Sequence, residues 1–287
     1  MGQKTSIPWT DYTSNPVRAA RKDNGKRGHA CVKVSEECDH CYAEALNKRW
    51  GTGLPFDTRS MRQVTLYLNE KEANWLETSK AISGKRVFIE DMADLFAPWG
   101  WTEWIERLFE VFAKRQDVTF QLLTKWPQRM AEFLLDEHEI TPQVKSLSPR
   151  IAPLQNVWLG TTAGLQNRAD QRINPMMALA WHRWITFMSS EPRLGPINWV
   201  GWEFLELLIT GGESGAGARF YDEAWGRSDL AFCREHGIKF FMKQLGGYPD
   251  KRERMEDFPE DLRVRDLTPG PFSGLEAIAD WEMRRKA

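Results

Sequence analysis

Cysteine is scarce in this chain, with four in 287 residues. That is too few for a disulfide framework in a chain long enough to build a substantial core. A membrane-spanning run is also missing, since no apolar stretch approaches the ~18 residues that one requires. The opening residues, MGQKTSIPWTDYTSNP, hold no apolar signal core. No membrane partner is therefore expected, and the expected compartment is the reducing cytoplasm. An excess of one charge is absent as well. Lys and Arg number 39 against 40 Asp and Glu, so nucleic-acid binding would need a local patch and not a global field. No linker, low-complexity tract or repeat divides the chain. A single domain is expected over 1–250, with a cysteine loop at 28–44 and a C-terminal extension at 251–287.

Three of the cysteines stand together as Cys31, Cys38 and Cys41, spaced C-x6-C-x2-C, and Cys233 is far away. In a reducing compartment such a cluster reads as a shared metal or redox site. Three thiolates are one short of a closed tetrahedral zinc site or a fully ligated iron–sulfur cluster. Zinc would take His29 or His40 as its fourth ligand, but the second C-x2-C of a zinc ribbon is lacking. A [4Fe-4S] cluster held by three cysteines keeps one iron open for a substrate or cofactor, which favours chemistry over bracing.

Through the middle of the chain, short apolar runs alternate with polar clusters and helix-like stretches. Strands are expected at Arg86–Glu90, Val118–Leu123, Asn156–Gly160, Arg183–Met188, Leu207–Thr210 and Ile238–Met242, with a further one at Thr5–Trp9. Helices are expected at Glu103–Arg115, Pro127–Leu135, Asn167–Ala178 and Glu223–His236, the last ending at Gly237. This alternation predicts an α/β fold of parallel strands with outer helices. A full or partial (β/α) barrel is the first choice and an open doubly wound sheet the second.

Each expected strand runs into polar residues. They are Glu90, Asp91 and Asp94; Thr124 and Lys125; Thr161 and Thr162; Ser189, Ser190, Glu191 and Arg193; Gly211, Gly212, Glu213 and Ser214; and Lys243. In a barrel such residues converge on the carboxyl-terminal face, where ligands bind. Helix capping is the plainer role for Asp94, Thr162 and Ser190. The glycine run after LLIT lacks the G-K-[ST] ending of a phosphate loop. The basic stretch from Arg18 through Arg21 to Arg27 is a candidate for phosphate contact, to which Lys125, Arg129 and Arg193 could add.

The ordered set Trp9-Thr10-Asp11, Asn15-Pro16-Val17-Arg18, Gly28-His29-Ala30-Cys31, Cys38 and Cys41-Tyr42-Ala43-Glu44 resembles the phage and prophage three-cysteine-motif family, a phage domain of unknown function. Asp91-Met92-Ala93-Asp94, Leu123-Thr124-Lys125-Trp126-Pro127, Ser190-Glu191-Pro192 and Gly211-Gly212-Glu213-Ser214-Gly215 continue the resemblance. That family is similar to radical S-adenosylmethionine enzymes, although most of those space their cysteines C-x3-C-x2-C.

The resemblance implies a barrel of the radical S-adenosylmethionine type with Cys31, Cys38 and Cys41 on the cluster. S-adenosylmethionine would bind the open iron, and one electron would release a 5′-deoxyadenosyl radical. Glu90, Asp91, Asp94, Thr161, Thr162, Ser189, Ser190, Glu191, Gly211, Gly212, Glu213 and Ser214 would hold the cofactor. Arg18, Arg21, Lys125, Arg193 and Lys243 would meet DNA or a modified nucleoside. The implied reaction is thymine hypermodification, such as isomerisation of an amino-acid-decorated thymidine. A flavodoxin or ferredoxin type of donor would supply electrons. Lesion repair of the photoproduct-lyase kind is the alternative enzyme, and a zinc-braced nucleic-acid-binding protein the alternative without catalysis.

Overall fold

A computed structural model describes residues 2–135, 151–215, 217–247, 250 and 252–268. The chain forms two compact units, Met1–Lys125 with Leu154–Val157, and Trp126–Pro153 with Trp158–Ala287.

In the first unit, β1 (Gln3–Lys4) pairs antiparallel with β2 (Tyr12–Ser14). The intervening chain turns, with the Ile7 amide on Thr5 Oγ1 at 3.2 Å and the Thr10 amide on the Ile7 carbonyl at 3.3 Å. The strand expected at Thr5–Trp9 is thus a turn, and Pro8 has no amide to offer a ladder. Next come β3 (Val17–Arg21), β4 (Arg27–Gly28), α1 (Tyr42–Trp50), α2 (Thr58–Met61), β5 (Val64–Leu68) and α3 (Glu70–Thr78). Then β6 (Arg86–Ile89), α4 (Thr102–Lys114) and β7 (Thr119–Thr124) complete the unit. Strands β2, β6 and β7 lie side by side and parallel, so their carboxyl ends face one way. A second sheet, antiparallel and in the order β4-β3-β5, carries the chain into and away from the cysteines.

Helix α4 buries Ile105, Leu108, Phe109, Val111 and Phe112 along one stripe. Each such side chain contributes about 1.5–3 kcal/mol when fully removed from water. Asn156 seals the helix end, its side-chain amide directed at the carbonyls of Phe112 and Arg115, both at 3.0 Å, and of Val118 at 3.1 Å.

The second unit runs α5 (Pro127–Leu135), β8 (Val157–Thr162), α6 (Gln166–Trp181), β9 (Ile185–Ser190), β10 (Leu207–Gly211), α7 (Glu223–His236) and β11 (Lys239–Gln244). Pro127 opens α5, where its missing amide costs nothing. Asp222 caps α7 by accepting from the Ala224 amide at 2.8 Å, and Gly237 ends it at φ +69°. The four strands follow in chain order, and each pair with a described register is parallel. Strand β8 is buried along its whole length and so are β9 and β10, as strands covered on both faces are.

The expected strands and the helices α4 to α7 are found with their ends moved by at most a few residues, Thr5–Trp9 excepted. The mostly parallel sheet has eight strands, four carried by each unit, and the described residues include seven α-helices. No closed barrel is found among the described residues. In the first unit the sheet ends in the two-residue antiparallel β1, which is too short an edge for the paired, tilted closure of a barrel. The expected C-terminal extension is described as far as Thr268, and 269–287 lies outside the described residues. Its described part returns to β11, with the Met242 amide on the Val264 carbonyl at 2.9 Å and the Asp266 amide on the Phe240 carbonyl at 3.0 Å.

Candidate functional site

The three cysteines lie on the chain between β4 and α1. Cys38 is buried, Cys31 and Cys41 are half-buried, and all are free thiols. Cys41 occupies the cap position of α1. A tight turn sets Cys38, whose amide donates to the Ser35 carbonyl at 2.9 Å. Helix α1 holds both ends of the loop. Asn47 accepts the His29 amide at 2.9 Å and the Thr52 amide at 3.2 Å, and its own amide donates to Thr52 Oγ1 at 2.8 Å. Glu44, buried, accepts the Phe56 amide at 3.0 Å and binds Lys33 at 2.8 Å and Lys48 at 3.2 Å.

The carboxyl ends of β2, β6 and β7 supply the polar residues of this unit. Glu90 follows β6 with φ +62°, a conformation uncommon outside glycine, and its side chain is buried. Its Oε1 accepts the Val17 amide at 2.5 Å. Asp91 accepts from Asn15 Nδ2 at 2.6 Å and from the Tyr42 hydroxyl at 3.2 Å. Asp94 accepts from the Thr124 hydroxyl at 2.6 Å and from the amides of Lys125 at 2.8 Å and Phe96 at 3.1 Å.

Burial raises the carboxyls of Asp91 and Asp94 above the usual aspartate range, against the hydrogen bonds that favour their charge. Burial raises Glu90 much further. The Cys31 thiol is pushed far up by burial first and by the Asp94 carboxylate next; Lys125 opposes this, and Cys41 and Cys38 add to it. Cys31 therefore shares its surroundings with Asp94, Lys125 and the other two cysteines. Burial, and then the charge of Arg18, lowers His29 to about 4.

Among the described residues no three His, Cys, Asp or Glu side chains form a group that could hold a metal ion. A four-iron cluster takes each thiolate on a separate iron and does not require thiolates in mutual contact. Cys31, Cys38 and Cys41 are free thiols in one loop, donors of the kind such a cluster takes.

The basic residues are largely engaged. Arg18 bonds Glu72 at 2.6 Å and His29 Nε2 at 2.7 Å, and Arg21 pairs with Asp23.

The remaining expected residues lie in the second unit. Thr161 and Thr162 are buried at the end of β8. Ser189 donates to Glu191 at 3.0 Å, and Glu191 pairs with Lys243 at 3.1 Å. Ser190 donates to the Ala163 carbonyl at 2.6 Å. Arg193 is buried, with its guanidinium on Asp229 at 3.0 Å and on Ser190 Oγ at 3.2 Å. Gly211 and Gly212 let β10 lie close to the chain at β11, because a Cβ on either would stand 2.8 Å from a backbone oxygen. Glu213 pairs with Arg219 at 2.6 Å, and Ser214 is exposed.

Sequence reasoning missed the roles of Asn15, Asn47 and Glu72. The Asn15-Pro16 pair and the Tyr42 beside Cys41 were the only local signals.

A family model described as a protein of unknown function (DUF5131) matches residues 4–268. No curated protein and no solved structure matches the chain.

Proposed function

Because the chain belongs to DUF5131, a family described as of unknown function, its activity must be argued from its own site, and we propose that it is a radical S-adenosylmethionine enzyme. The observation that carries this reading is the Tyr42 hydroxyl on the Asp91 carbonyl at 3.0 Å, which ties the residue after Cys41 to the chain beyond β6. The cysteine loop and the ends of parallel strands thereby share one place in the first unit, and strand ends are where α/β folds hold ligands.

Cys31, Cys38 and Cys41 would hold a [4Fe-4S] cluster. The cluster with S-adenosylmethionine supplies one-electron cleavage of the sulfonium and a 5′-deoxyadenosyl radical. The protein's part begins with protons. Thiols must lose theirs to ligate metal, and the Lys125 ammonium favours the Cys31 thiolate while Asp94 opposes it. Asp94 is fixed by Thr124 and two amides, so it is a rigid acceptor. Lys125 is the cation here with a charge suited to a carboxylate. Asn15 and Tyr42 hold Asp91 at the mouth of the loop.

The proposed substrate is a nucleic-acid base, with hypermodification as the reaction and lesion repair as the alternative. That assignment rests on the resemblance, since Arg18 and Arg21 are engaged in ion pairs.

The test is anaerobic reconstitution with iron and sulfide, followed by the visible spectrum of the protein and of C31A/C38A/C41A. Broad absorption near ~400 nm that the triple variant loses is the expected result. Dithionite and S-adenosylmethionine should then yield 5′-deoxyadenosine. A colourless protein carrying stoichiometric zinc would overturn the reading in favour of a zinc-braced module.

A further inference from the structure

Helix α1 leaves an apolar stripe in solvent. Tyr42, Leu46 and Trp50 recur at every fourth residue, so they share one face. Their exposures are 48 %, 44 % and 71 %, and they make up half of the six exposed large hydrophobic residues described. Ala45, also exposed, widens the stripe. Packing of the helix uses Ala43, Glu44 and Asn47, and the Tyr42 hydroxyl reaches Asp91.

Basic residues gather around the Leu46 and Trp50 end of the stripe, while Asp91 meets Tyr42 at the other end. The Arg49 guanidinium lies over the Trp50 ring, 4.6 Å from its centroid. The Lys26 ammonium reaches the end of the helix, 3.6 Å from where a Cβ on Gly53 would stand. Arg27 and Lys48 are exposed. The one acid of α1, Glu44, is buried and held by two lysines. The chain as a whole has a net charge of −1, so this basic setting is local.

We propose that this face of α1 docks an acidic one-electron carrier protein that reduces the cluster, an inference that rests on the reading of Cys31, Cys38 and Cys41 given above. An apolar centre within a charged rim is the usual anatomy of a protein interface, and the basic rim selects an acidic partner. The position suits electron delivery. Cys41 caps the helix, and at 1.5 Å per residue the stripe ends roughly 14 Å from it. In the step, the carrier loses one electron and the cluster gains it, with no bond or proton exchanged. Continuous aliphatic and aromatic contact along a helix favours a protein partner over nucleic acid.

The test uses the reconstituted full chain, a purified acidic flavodoxin as probe, and the variants L46E/W50E and K26E/R49E. Binding is read by calorimetry, and 5′-deoxyadenosine is measured with reduced flavodoxin and, separately, with dithionite. Each variant should bind flavodoxin about tenfold or more weakly, as loss of a central interface anchor does. The flavodoxin-driven rate should fall alongside, while the dithionite-driven rate holds. Circular dichroism checks that both variants fold, and K26E/R49E leaves the apolar stripe intact. Equal flavodoxin binding by all three proteins would overturn the proposal. So would a stripe that binds a DNA duplex or a second copy of the chain in place of flavodoxin. Failure with dithionite in the unaltered protein would instead strike at the cluster, whatever the binding result.

Discussion

The Tyr42 hydroxyl has two acceptors on Asp91 within reach of its one proton, the carbonyl at 3.0 Å and the carboxylate at 3.2 Å. This joins the first residue of α1 to the chain just beyond β6. Tyr42 follows Cys41 directly, so the contact fixes the third thiol relative to the strand end. Asn15 completes the tie, donating to the Asp91 carboxylate at 2.6 Å and accepting the Met92 amide at 2.9 Å.

Tyr42→Phe keeps the ring and removes this tie alone. Stability should fall by about 1 kcal/mol, the net worth of an ordinary hydrogen bond. The reconstituted colour should form and then bleach faster under an iron chelator, because the Cys41 end of the loop is freer. Bleaching at the unaltered rate would show that the tie does not position the loop.

Glu72 links β2, β3 and α3. It accepts Ser14 Oγ at 3.1 Å, the Asn15 amide at 2.9 Å and Arg18 at 2.6 Å. Burial pushes its carboxyl up, but Arg18 and the amide outweigh that and hold it below the ordinary glutamate value. A lowered pKa means that the unfolded chain takes up the proton first on acidification. The stabilisation is therefore full above the ordinary value of about 4.5 and is lost as pH falls through the lower folded value. Glu72→Gln should be destabilised at neutral pH by an amount that shrinks below about pH 4.5. Urea unfolding of both proteins across pH 3–7, a range on the order of four units, checks this; a difference independent of pH would refute it.

Glu90 should behave with the opposite sign. Its raised pKa means that ionisation costs stability as pH rises above the ordinary value of about 4.5. Glu90→Gln retains an acceptor for the Val17 amide and removes the charge. The variant should gain stability over the parent as pH increases, with no gain at acid pH. The same unfolding series decides it.

The strands of the main sheet were legible because burial on both faces leaves continuous runs such as RVFI and FQLL. Helices α4, α5 and α7 were legible from their apolar stripes, from Pro127 and from Gly237. The three-stranded sheet was not. Its central strand, VRAAR, reads as a charge run until Glu72, far along the chain, is known to neutralise Arg18. Closure of a barrel depends on tilt and register across the whole sheet, which no local pattern carries. At the site, the thiols and the acids after β6 stand out by residue type. Asn15 and Asn47 do not, because common polar residues acquire their roles only from their partners in the fold.

Arg193 was expected to reach a nucleic-acid substrate, and its charge is instead directed at Asp229 in the interior of the second unit. Both side chains are fully buried, and Asp229 also accepts Trp199 Nε1 at 2.6 Å. Removing one member of such a pair leaves an uncompensated charge away from water. Arg193→Ala should therefore cost about 3–5 kcal/mol, and Asp229→Ala a similar amount. Replacing both at once, as R193M/D229L, restores apolar packing without a buried charge, although Trp199 loses its acceptor. The double variant should be more stable than either single one, as a double-mutant cycle in urea would reveal. Additive losses in that cycle would mean that the two groups are not a coupled pair, and would return Arg193 to the candidates for a ligand contact.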